Sequence, residues 1–252
     1  MKQKIDILKY KGILFDRDGT LFDSNDVLSN ADEELICSLG STLRQSISNE
    51  WVEFYRNYTG NEDISLVWAR YVIDIYNLKN ISPEKYLADR NIILNKKIKI
   101  LPYKNDADNF LLFIKNKGFL LAMVTSGDDL SMELYHQNEI INRNASIRFI
   151  FGNNIITSDT VKRNNLKQKP EPDPYILALK MLGLNSEDCL VFEDSLAGLK
   201  SAQGAGIVTC IVYDSHSDKD REELYQKTPY HINNFTELLK YLTNPCLGMS
   251  NG

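Results

Sequence analysis

The amino-acid sequence predicts an α/β protein: a mostly parallel, doubly wound β-sheet covered by helices on both faces, with an all-helical insertion after the first strand. Three observations lead to this prediction. Residues 12–15 form a short apolar run of strand length. From residue 103 onward, apolar runs of strand length alternate with amphipathic helical patterns, as in parallel sheets with crossover helices. Residues 24–100 show helical periodicity and few strand signals.

The later strands are predicted from short apolar runs bounded by turn residues. They cover Phe119–Val124, Phe149–Gly152, Cys189–Phe192 and Ile207–Tyr213. Helical periodicity predicts the elements between and after them, at Asp106–Lys117, around 130–140, and at Asp173–Leu182, Leu196–Ala205 and Phe235–Leu242. Gly118 and Gly183 follow two of these helices, where glycine commonly ends a helix. Strand and helix therefore alternate through the second part of the chain.

The inserted segment is predicted to contain four helices, at Val27–Leu39, Asn49–Tyr58, Ile64–Tyr76 and Pro83–Ile98. It separates the first strand from the rest of the sheet. We therefore predict two domains: residues 1–23 and 101–252 form the sheet-containing core, and residues 24–100 form an all-helical domain.

Composition narrows the classes of function. The chain has 252 residues, a net charge of −5, 43% hydrophobic and 25% charged residues, as in soluble globular proteins. The negative charge argues against a nucleic-acid or anionic-membrane partner, and no apolar run approaches the length of a membrane helix. The four cysteines and three histidines show no metal-binding spacing. We expect free thiols, a cytoplasmic location without a signal peptide, and a monomer by default, with a dimer possible.

Polar residues follow several of the predicted strands. Right-handed crossovers bring the carboxyl ends of parallel strands to one edge, where α/β sheets bind ligands. The residues expected at this edge are Asp16, Asp18, Thr125, Ser126, Lys169, Glu193 and Asp194. Each alone has an ordinary explanation, such as an Asx turn or a helix cap. Their convergence on one edge favours a binding site.

The expected set contains four carboxylates, one lysine and two hydroxyls. Carboxylates at close range repel each other and call for a cation, and Mg²⁺ prefers such oxygen ligands together with substrate phosphate. Lysine and hydroxyl donors are natural partners of phosphate oxygens. An aspartate can attack phosphorus in a covalent mechanism, and a second acid two residues later could transfer protons. The pattern therefore predicts Mg²⁺-dependent phosphoryl transfer.

These residues resemble the motifs of the haloacid dehalogenase superfamily of phosphohydrolases. The first motif, DxDGT, is similar to residues 16–20, and the second matches Thr125 after LLAMV. The third matches Lys169 in KPEPDPY, and the fourth matches Glu193 and Asp194 in VFEDSLAGLKSAQGAG. The insertion after the first motif looks like the helical cap of the subgroup that contains beta-phosphoglucomutase and phosphoglycolate phosphatase. The resemblance implies a Rossmann-like core with this cap.

The resemblance also implies a role for each residue. Asp16 would be the nucleophile and a Mg²⁺ ligand, and Asp18 the general acid/base, with its backbone carbonyl on the metal. Thr125 and the amide of Ser126 would hold the phosphoryl group, and Lys169 would bridge Asp16 and the phosphate. Asp194 would bind Mg²⁺, with Glu193 as a direct or indirect partner. Residues 19–24 would form the hinge of the cap.

Three features depart from the family pattern, and the first is that the first cap helix lacks the early histidine common among the sugar-phosphate members. Arg17 occupies a variable position of the first motif. We expect its side chain to point to the face of the strand opposite Asp16 and Asp18, and to take no part in the chemistry. The cap loop at residues 58–63 carries Glu62 and Asp63, where phosphoglucomutases carry an arginine for a second phosphate. Arg56 or Arg70 could substitute for that arginine. The acids in this loop count against a mutase, although they could simply begin the next helix.

The function predicted from these features is a Mg²⁺-dependent phosphatase acting on a small phosphorylated metabolite, such as a sugar phosphate or phosphoglycolate, through a phospho-Asp16 intermediate. A phosphomutase of the beta-phosphoglucomutase type on the same machinery is the alternative. A non-catalytic binding protein on this scaffold is a remote third possibility, because such proteins usually lack one of the motif residues.

Overall fold

The protein contains a six-stranded, entirely parallel β-sheet, seen in a computed structural model that describes residues 3–57, 62, 64–143 and 145–243. The strand order is β3-β2-β1-β4-β5-β6. The strands are β1 Gly12–Phe15, β2 Leu120–Val124, β3 Ile155–Ile156, β4 Cys189–Glu193, β5 Val208–Val212 and β6 His231–Ile232. The order reverses direction at β1, which pairs with β2 on one side and β4 on the other. The predicted doubly wound α/β fold is confirmed.

The chain divides into two compact units, Met1–Asp23 with Leu101–Gly252, and Ser24–Ile100. The first unit contains the sheet. Its helices are α5 Ala107–Asn116, α6 Asp129–His136, α7 Ile147–Phe151, α8 Ser158–Arg163, α9 Asp173–Leu182, α10 Leu196–Gly204, α11 Arg221–Lys227 and α12 Phe235–Thr243. The labels α1 to α4 belong to the second unit, described below.

Helices cover both faces of the sheet because successive strand residues point to opposite sides. On one face, Leu14, Ala122 and Val191 pack in a buried cluster with residues of α9 and α10. On the other, Phe15 and Phe192 stack with ring centroids 5.3 Å apart. Phe110 of α5 and Phe235 of α12 complete this aromatic cluster. The strands are thus buried on both sides, and the end of β1 is rigidly placed.

The second unit is all-helical, with α1 Ser24–Ser38, α2 Ile47–Asn57, α3 Ile64–Ile75 and α4 Pro83–Ile98. Its core is a cluster around Trp68, Val72 and Tyr86. The start of α4 follows from local chemistry. Ser82 caps the helix by accepting a hydrogen bond from the amide of Lys85, and proline stands at the first helical position.

One predicted strand is wrong. Residues 149–152, predicted as a strand, lie in and just after helix α7. The short apolar run fits both structures by length. The helix forms because Ser146 caps it at the amide of Phe149, and because the buried residues Ile147, Ile150 and Phe151 follow helical spacing. The third strand is instead Ile155–Ile156, which pairs with Met123 and Val124 of β2.

Some elements had no counterpart in the sequence prediction, namely α8, α11 and β6, each of which has seven residues or fewer.

Most of the cap loop discussed above, residues 58–61 and 63, lies outside the described residues. Within that loop Glu62 is described, and it forms an ion pair with Arg70. Among the helices that the structure describes, none has the length and apolar character needed to cross a bilayer.

Candidate active site

The candidate site begins where β1 and β4 end side by side. The two strands pair in parallel register from Gly12 with Cys189 to Phe15 with Phe192, and the amide of Asp16 extends the pairing by donating to the carbonyl of Phe192, at 3.0 Å. This register places Asp16 beside Glu193 and Asp194. Each of the three can offer a carboxylate oxygen within 4.8 Å of the others, and all three are buried. The structure thus brings together three of the four predicted acids.

Lys169 reaches this group from the loop before α9. Its Nζ lies 2.8 Å from Oδ1 of Asp16 and 2.6 Å from Oε1 of Glu193. It also donates to the carbonyl of Val124 at 2.9 Å, at the end of β2. The lysine is almost wholly buried, with 6% of its side chain exposed, and the two carboxylates raise its pKa more than burial lowers it. It is therefore a fixed positive charge beside Asp16.

Glu193 is held by donors on every side. Oε1 accepts from Lys169 and from the hydroxyl of Tyr175 at 2.9 Å. Oε2 accepts from the hydroxyl of Ser195 at 3.2 Å and the amide of Asp194 at 3.2 Å. A Cβ at Gly198 of α10 would overlap the carboxylate, so glycine leaves the space that Glu193 occupies. Glu193 is positioned to orient Lys169.

Asp194 has fewer partners. Its Oδ1 accepts a hydrogen bond from the Thr20 hydroxyl at 3.1 Å, and no lysine or arginine pairs with it among the described residues. Burial, together with the charges of Asp16 and Glu193, raises the pKa of Asp194 well above its usual value. Burial likewise raises the pKa of Asp16 to about 8, with Lys169 opposing the rise. Three carboxylates therefore face one lysine.

This donor set fits a hard divalent cation. All three groups offer oxygen, the ligand atom that Mg²⁺ and Ca²⁺ prefer. The positive charge of an ion would offset the burial and the mutual repulsion that together raise these pKa values. Asp16 and Asp194 are better available than Glu193, because protein donors already surround Glu193. The Asp18 carboxylate lies outside this cluster of three.

Thr125 and Ser126 follow β2, the neighbour of β1 on the other side. The amide of Thr125 donates to the carbonyl of Ile156, at 2.9 Å, and its hydroxyl accepts from the amide of Gly127, at 3.0 Å. Thr125 is buried, whereas Ser126 is exposed. The hydrogen bonds fix a tight turn at the sheet edge where the carboxylates converge.

The expected direction of the Arg17 side chain is wrong. The Arg17 side chain does not point away from Asp18 but binds it, with Nε at 3.0 Å and Nη2 at 2.7 Å from Oδ2. The expectation failed because strand alternation ends at Phe15. The chain then turns: the amide of Leu21 donates to the carbonyl of Arg17, and Gly19 has a left-handed φ of 80°. Past the strand, the two-residue period no longer predicts direction.

Sequence reasoning also missed three residues of the site. The hydroxyl of Tyr135 in α6 donates to Oδ1 of Asp18, at 3.0 Å, and Tyr175 in α9 donates to Glu193. Lys104 donates to the carbonyl of Gly19, at 2.8 Å, and so supports the turn after Asp18. Both tyrosines lie on the buried side of amphipathic helices, and the helical spacing of apolar residues by itself predicts only that they pack in the core. Only the fold shows that their hydroxyls reach the acids.

Comparison with known proteins defines the class. A family model described as haloacid dehalogenase-like hydrolase matches residues 10–206. The chain belongs to this family and is an enzyme of the hydrolase class, so both predictions are confirmed.

Among curated relatives, Protein CbbY of Cereibacter sphaeroides is 28% identical over 235 residues, covering 90% of this chain and 94% of its own. Phosphoglycolate phosphatase of Aquifex aeolicus is 25% identical over 201 residues, covering 79% and 83%.

A solved structure with the same fold is CbbY from Rhodobacter sphaeroides in complex with phosphate. It has a TM-score of 0.65 and 23% sequence identity, and the match covers 91% of this chain and 96% of that one. At this identity the likeness shows the fold and leaves the substrate open. Phosphatase relatives and the acidic cluster together make the chain phosphatase-like.

Proposed function

We propose that the protein is a Mg²⁺-dependent phosphatase that hydrolyses a small phosphorylated metabolite through a phospho-Asp16 intermediate. The observation that carries the proposal is the buried group in which Lys169 Nζ lies 2.8 Å from Asp16, beside two further carboxylates. One lysine offsets only part of this charge. A site of this kind suits a divalent cation together with an anionic phosphoryl group.

Each residue of the site has a distinct role in this proposal. Asp16, Asp194 and the backbone carbonyl of Asp18 would hold Mg²⁺, which when bound supplies positive charge for the transferring phosphoryl oxygens. Lys169, held by Glu193, faces both Asp16 and the phosphate. Thr125 and the amide of Ser126 bind phosphoryl oxygens. In this assignment Glu193 acts through Lys169, since protein donors fill both of its oxygens.

The reaction has two transfers. In the first, a carboxylate oxygen of Asp16 attacks phosphorus, the bond from phosphorus to the ester oxygen breaks, and Asp18 gives that oxygen a proton. In the second, water attacks the phosphoryl group on Asp16, and Asp18 takes a proton from that water. Asp16 is regenerated and inorganic phosphate leaves. The helical unit would serve as the cap that excludes bulk water, as lids do in other enzymes.

The substrate class rests on relatives. One curated relative is named phosphoglycolate phosphatase. A second CbbY structure from Rhodobacter sphaeroides holds xylulose-1,5-bisphosphate, at 22% identity to this chain and TM-score 0.64. We infer a small phosphorylated metabolite of this general kind, such as a sugar phosphate or phosphoglycolate, for this chain.

The test is phosphate release from a panel of phosphorylated metabolites and p-nitrophenyl phosphate, with Mg²⁺ and with EDTA. We expect release that depends on Mg²⁺, and acid-quenched enzyme carrying one phosphoryl group on the peptide that contains Asp16. Sugar-phosphate isomerisation with a bisphosphate primer and without phosphate release would instead identify a phosphomutase. Binding without either reaction would identify a non-catalytic protein.

A further inference from the structure

Arg17 is buried directly beside the candidate site, although no motif assigns it a role. It has 4% relative exposure, and its Nη1 donates to the Ser131 hydroxyl of α6, at 3.1 Å. Its Nε and Nη2 both reach Oδ2 of Asp18. Two N–H groups of one guanidinium converge on a single oxygen and fix the position of Oδ2, so a contact at Oδ1 is needed to fix the plane of the carboxylate. Arg17 thus fixes Asp18 from one side.

Tyr135 holds Asp18 from the other side. Its hydroxyl donates to Oδ1 of Asp18 at 3.0 Å, and the Arg17 guanidinium lies over its ring, with Cζ 4.4 Å from the centroid. The ring also packs on Phe22, with centroids 4.8 Å apart. Arg17, Tyr135 and Asp18 therefore form a closed triangle in which each member contacts the other two.

The turn after β2 leaves room for this triangle. A Cβ at Gly127 would overlap the Arg17 guanidinium and the Ser131 hydroxyl. Gly127 directly follows Thr125 and Ser126, the residues assigned to the phosphoryl group. The guanidinium therefore lies against the turn assigned to phosphate, in space that any larger residue at 127 would fill. Arg17 therefore lies between Asp18 and the turn after β2.

We propose that Arg17 and Tyr135 are positioning residues that hold the Asp18 carboxylate in the orientation from which it serves the leaving group. The inference rests on the proposed function, in which Asp18 donates a proton to the departing oxygen. An acid that must reach one atom loses rate when its orientation is free, because misplacement by about 1 Å can cost about 100-fold. Neither residue need touch the substrate.

The role can be separated from a structural one by varying the leaving group. An alkyl phosphate needs a proton on its leaving oxygen, whereas 2,4-dinitrophenyl phosphate releases a stable phenolate that needs none. Loss of Asp18 positioning should therefore reduce kcat/KM for the alkyl ester far more than for the aryl ester. General damage to the fold would reduce kcat/KM for both esters equally.

The variants are Tyr135→Phe, Arg17→Met and Arg17→Lys. Tyr135→Phe keeps the ring on Phe22 and removes only the hydroxyl. Its matched control is Tyr103→Phe, whose ring also stacks on Phe22, at 4.5 Å, but whose hydroxyl donates to the carbonyl of Ala145. We expect alkyl-ester kcat/KM to fall about 10-fold in Tyr135→Phe and about 100-fold in Arg17→Met. The aryl ester should change less than about 3-fold in both variants.

Arg17→Lys restores the positive charge without the two-pronged contact, so it should recover part of the alkyl-ester activity. Equal losses on both esters, or unchanged alkyl-ester activity in Tyr135→Phe, would overturn the proposal. So would faster alkyl-ester turnover, which would mean that the contacts hold Asp18 away from its task.

A crystal structure of Tyr135→Phe supplies a readout that does not depend on turnover. We expect the Asp18 carboxylate to rotate or to occupy two orientations in that variant, while it stays in place in Tyr103→Phe. An unmoved Asp18 refutes the positioning role even if the wild-type enzyme hydrolyses no phosphate ester. Absence of all phosphate release with a displaced Asp18 would instead count against the proposed function alone.

Discussion

Both units of the molecule bury carboxylates, but they treat the charge differently. In the helical unit, Asp32 lies 2.7 Å from the hydroxyl of Tyr86 and 3.3 Å from the indole nitrogen of Trp68. Nε of Arg90 lies 3.1 Å from the same carboxylate, as an ion pair outside hydrogen-bond geometry. One negative charge meets one positive charge and two neutral donors. In the sheet unit, three carboxylates meet one lysine.

The difference separates structural from functional buried charge. Buried ions are tolerated when they are paired and hydrogen-bonded, and the Asp32 cluster meets that condition. Burial raises the pKa of Asp32 as well, but there Arg90, Tyr86 and Trp68 all oppose the rise. The Asp16 cluster does not meet the condition from protein groups alone, because neighbouring carboxylates add to burial in raising the pKa values of Asp16 and Asp194. An excess of like charge at the end of a strand is therefore a stronger sign of a site than burial itself.

Of the substitutions considered, replacing Asp16 should have the largest effect on activity. We expect Asp16→Asn to reduce phosphate release on the order of 10⁴-fold or more, because the nucleophile is lost. In metal-free buffer we expect its free energy of unfolding to equal or exceed that of the wild type, because the change removes one of three crowded charges. Steady-state phosphate release and urea unfolding followed by far-UV circular dichroism measure the two effects.

The control for Asp16→Asn is Asp218→Asn, which changes an exposed aspartate of the same unit that pairs with Arg221. It should leave both quantities nearly unchanged. Turnover at the wild-type rate in Asp16→Asn would refute the assignment of the nucleophile. A marked loss of stability in that variant would show that the cluster is balanced after all.

Replacing Asp32 tests the buried carboxylate whose charge is balanced by neighbouring protein groups. Asp32→Asn removes the charge beside Arg90 and turns an amide NH₂ toward groups that are themselves donors. We expect the free energy of unfolding of the helical unit to fall by about 3 kcal/mol. Tryptophan fluorescence during urea unfolding reports on this unit, because both tryptophans of the chain, Trp51 and Trp68, lie within it.

Asp89→Asn is the matched control for Asp32→Asn. Asp89 pairs with the exposed Lys85 on the same helix as Arg90, and its loss should cost less than about 0.5 kcal/mol. A similar cost for both variants, or an increase in stability in Asp32→Asn, would mean that burial and not pairing decides the energy of the Asp32 cluster.

Sequence reasoning reached the fold and the converging acids because both depend on local patterns. The apolar run before Asp16 and the run before Glu193 end at the same sheet edge by topology alone. The support around the acids depends on contacts between elements distant in sequence. Tyr135 and Asp18 are 117 positions apart, and nothing local distinguishes Tyr135 from an ordinary core residue. Arg17 was misjudged because the backbone turns where strand alternation was assumed to continue.

A further buried carboxylate of the sheet unit, outside the cluster of three, gives the prediction with the smallest expected effect. Asp214 follows β5 and resembles Asp32 in its balance: Oδ2 lies 3.0 Å from Lys104 Nζ, and Oδ1 accepts from the amide of His216, at 2.9 Å. Burial acts to raise its pKa, but the contacts with His216 and Lys104 outweigh burial and lower the pKa to about 2. Within one unit, the pKa of Asp214, which is paired, is therefore lowered, whereas the pKa of Asp194, which lies among other carboxylates, is raised.

The lowered pKa of Asp214 predicts how its contribution to stability changes with pH. A depressed carboxylate pKa stabilises the fold above the pKa of the unfolded state, near 3.8, and this stabilisation is lost as pH falls toward about 2. Asp214→Asn should therefore be less stable than the wild type by about 2 kcal/mol at pH 7, and the gap should narrow between pH 4 and pH 2.5. Urea unfolding at these pH values measures the gap, in a window below the range in which histidines normally titrate. Asp218→Asn should show no such gap at any of these pH values, and a gap for Asp214→Asn that stays constant down to pH 2.5 would show that pairing does not hold this carboxylate ionised.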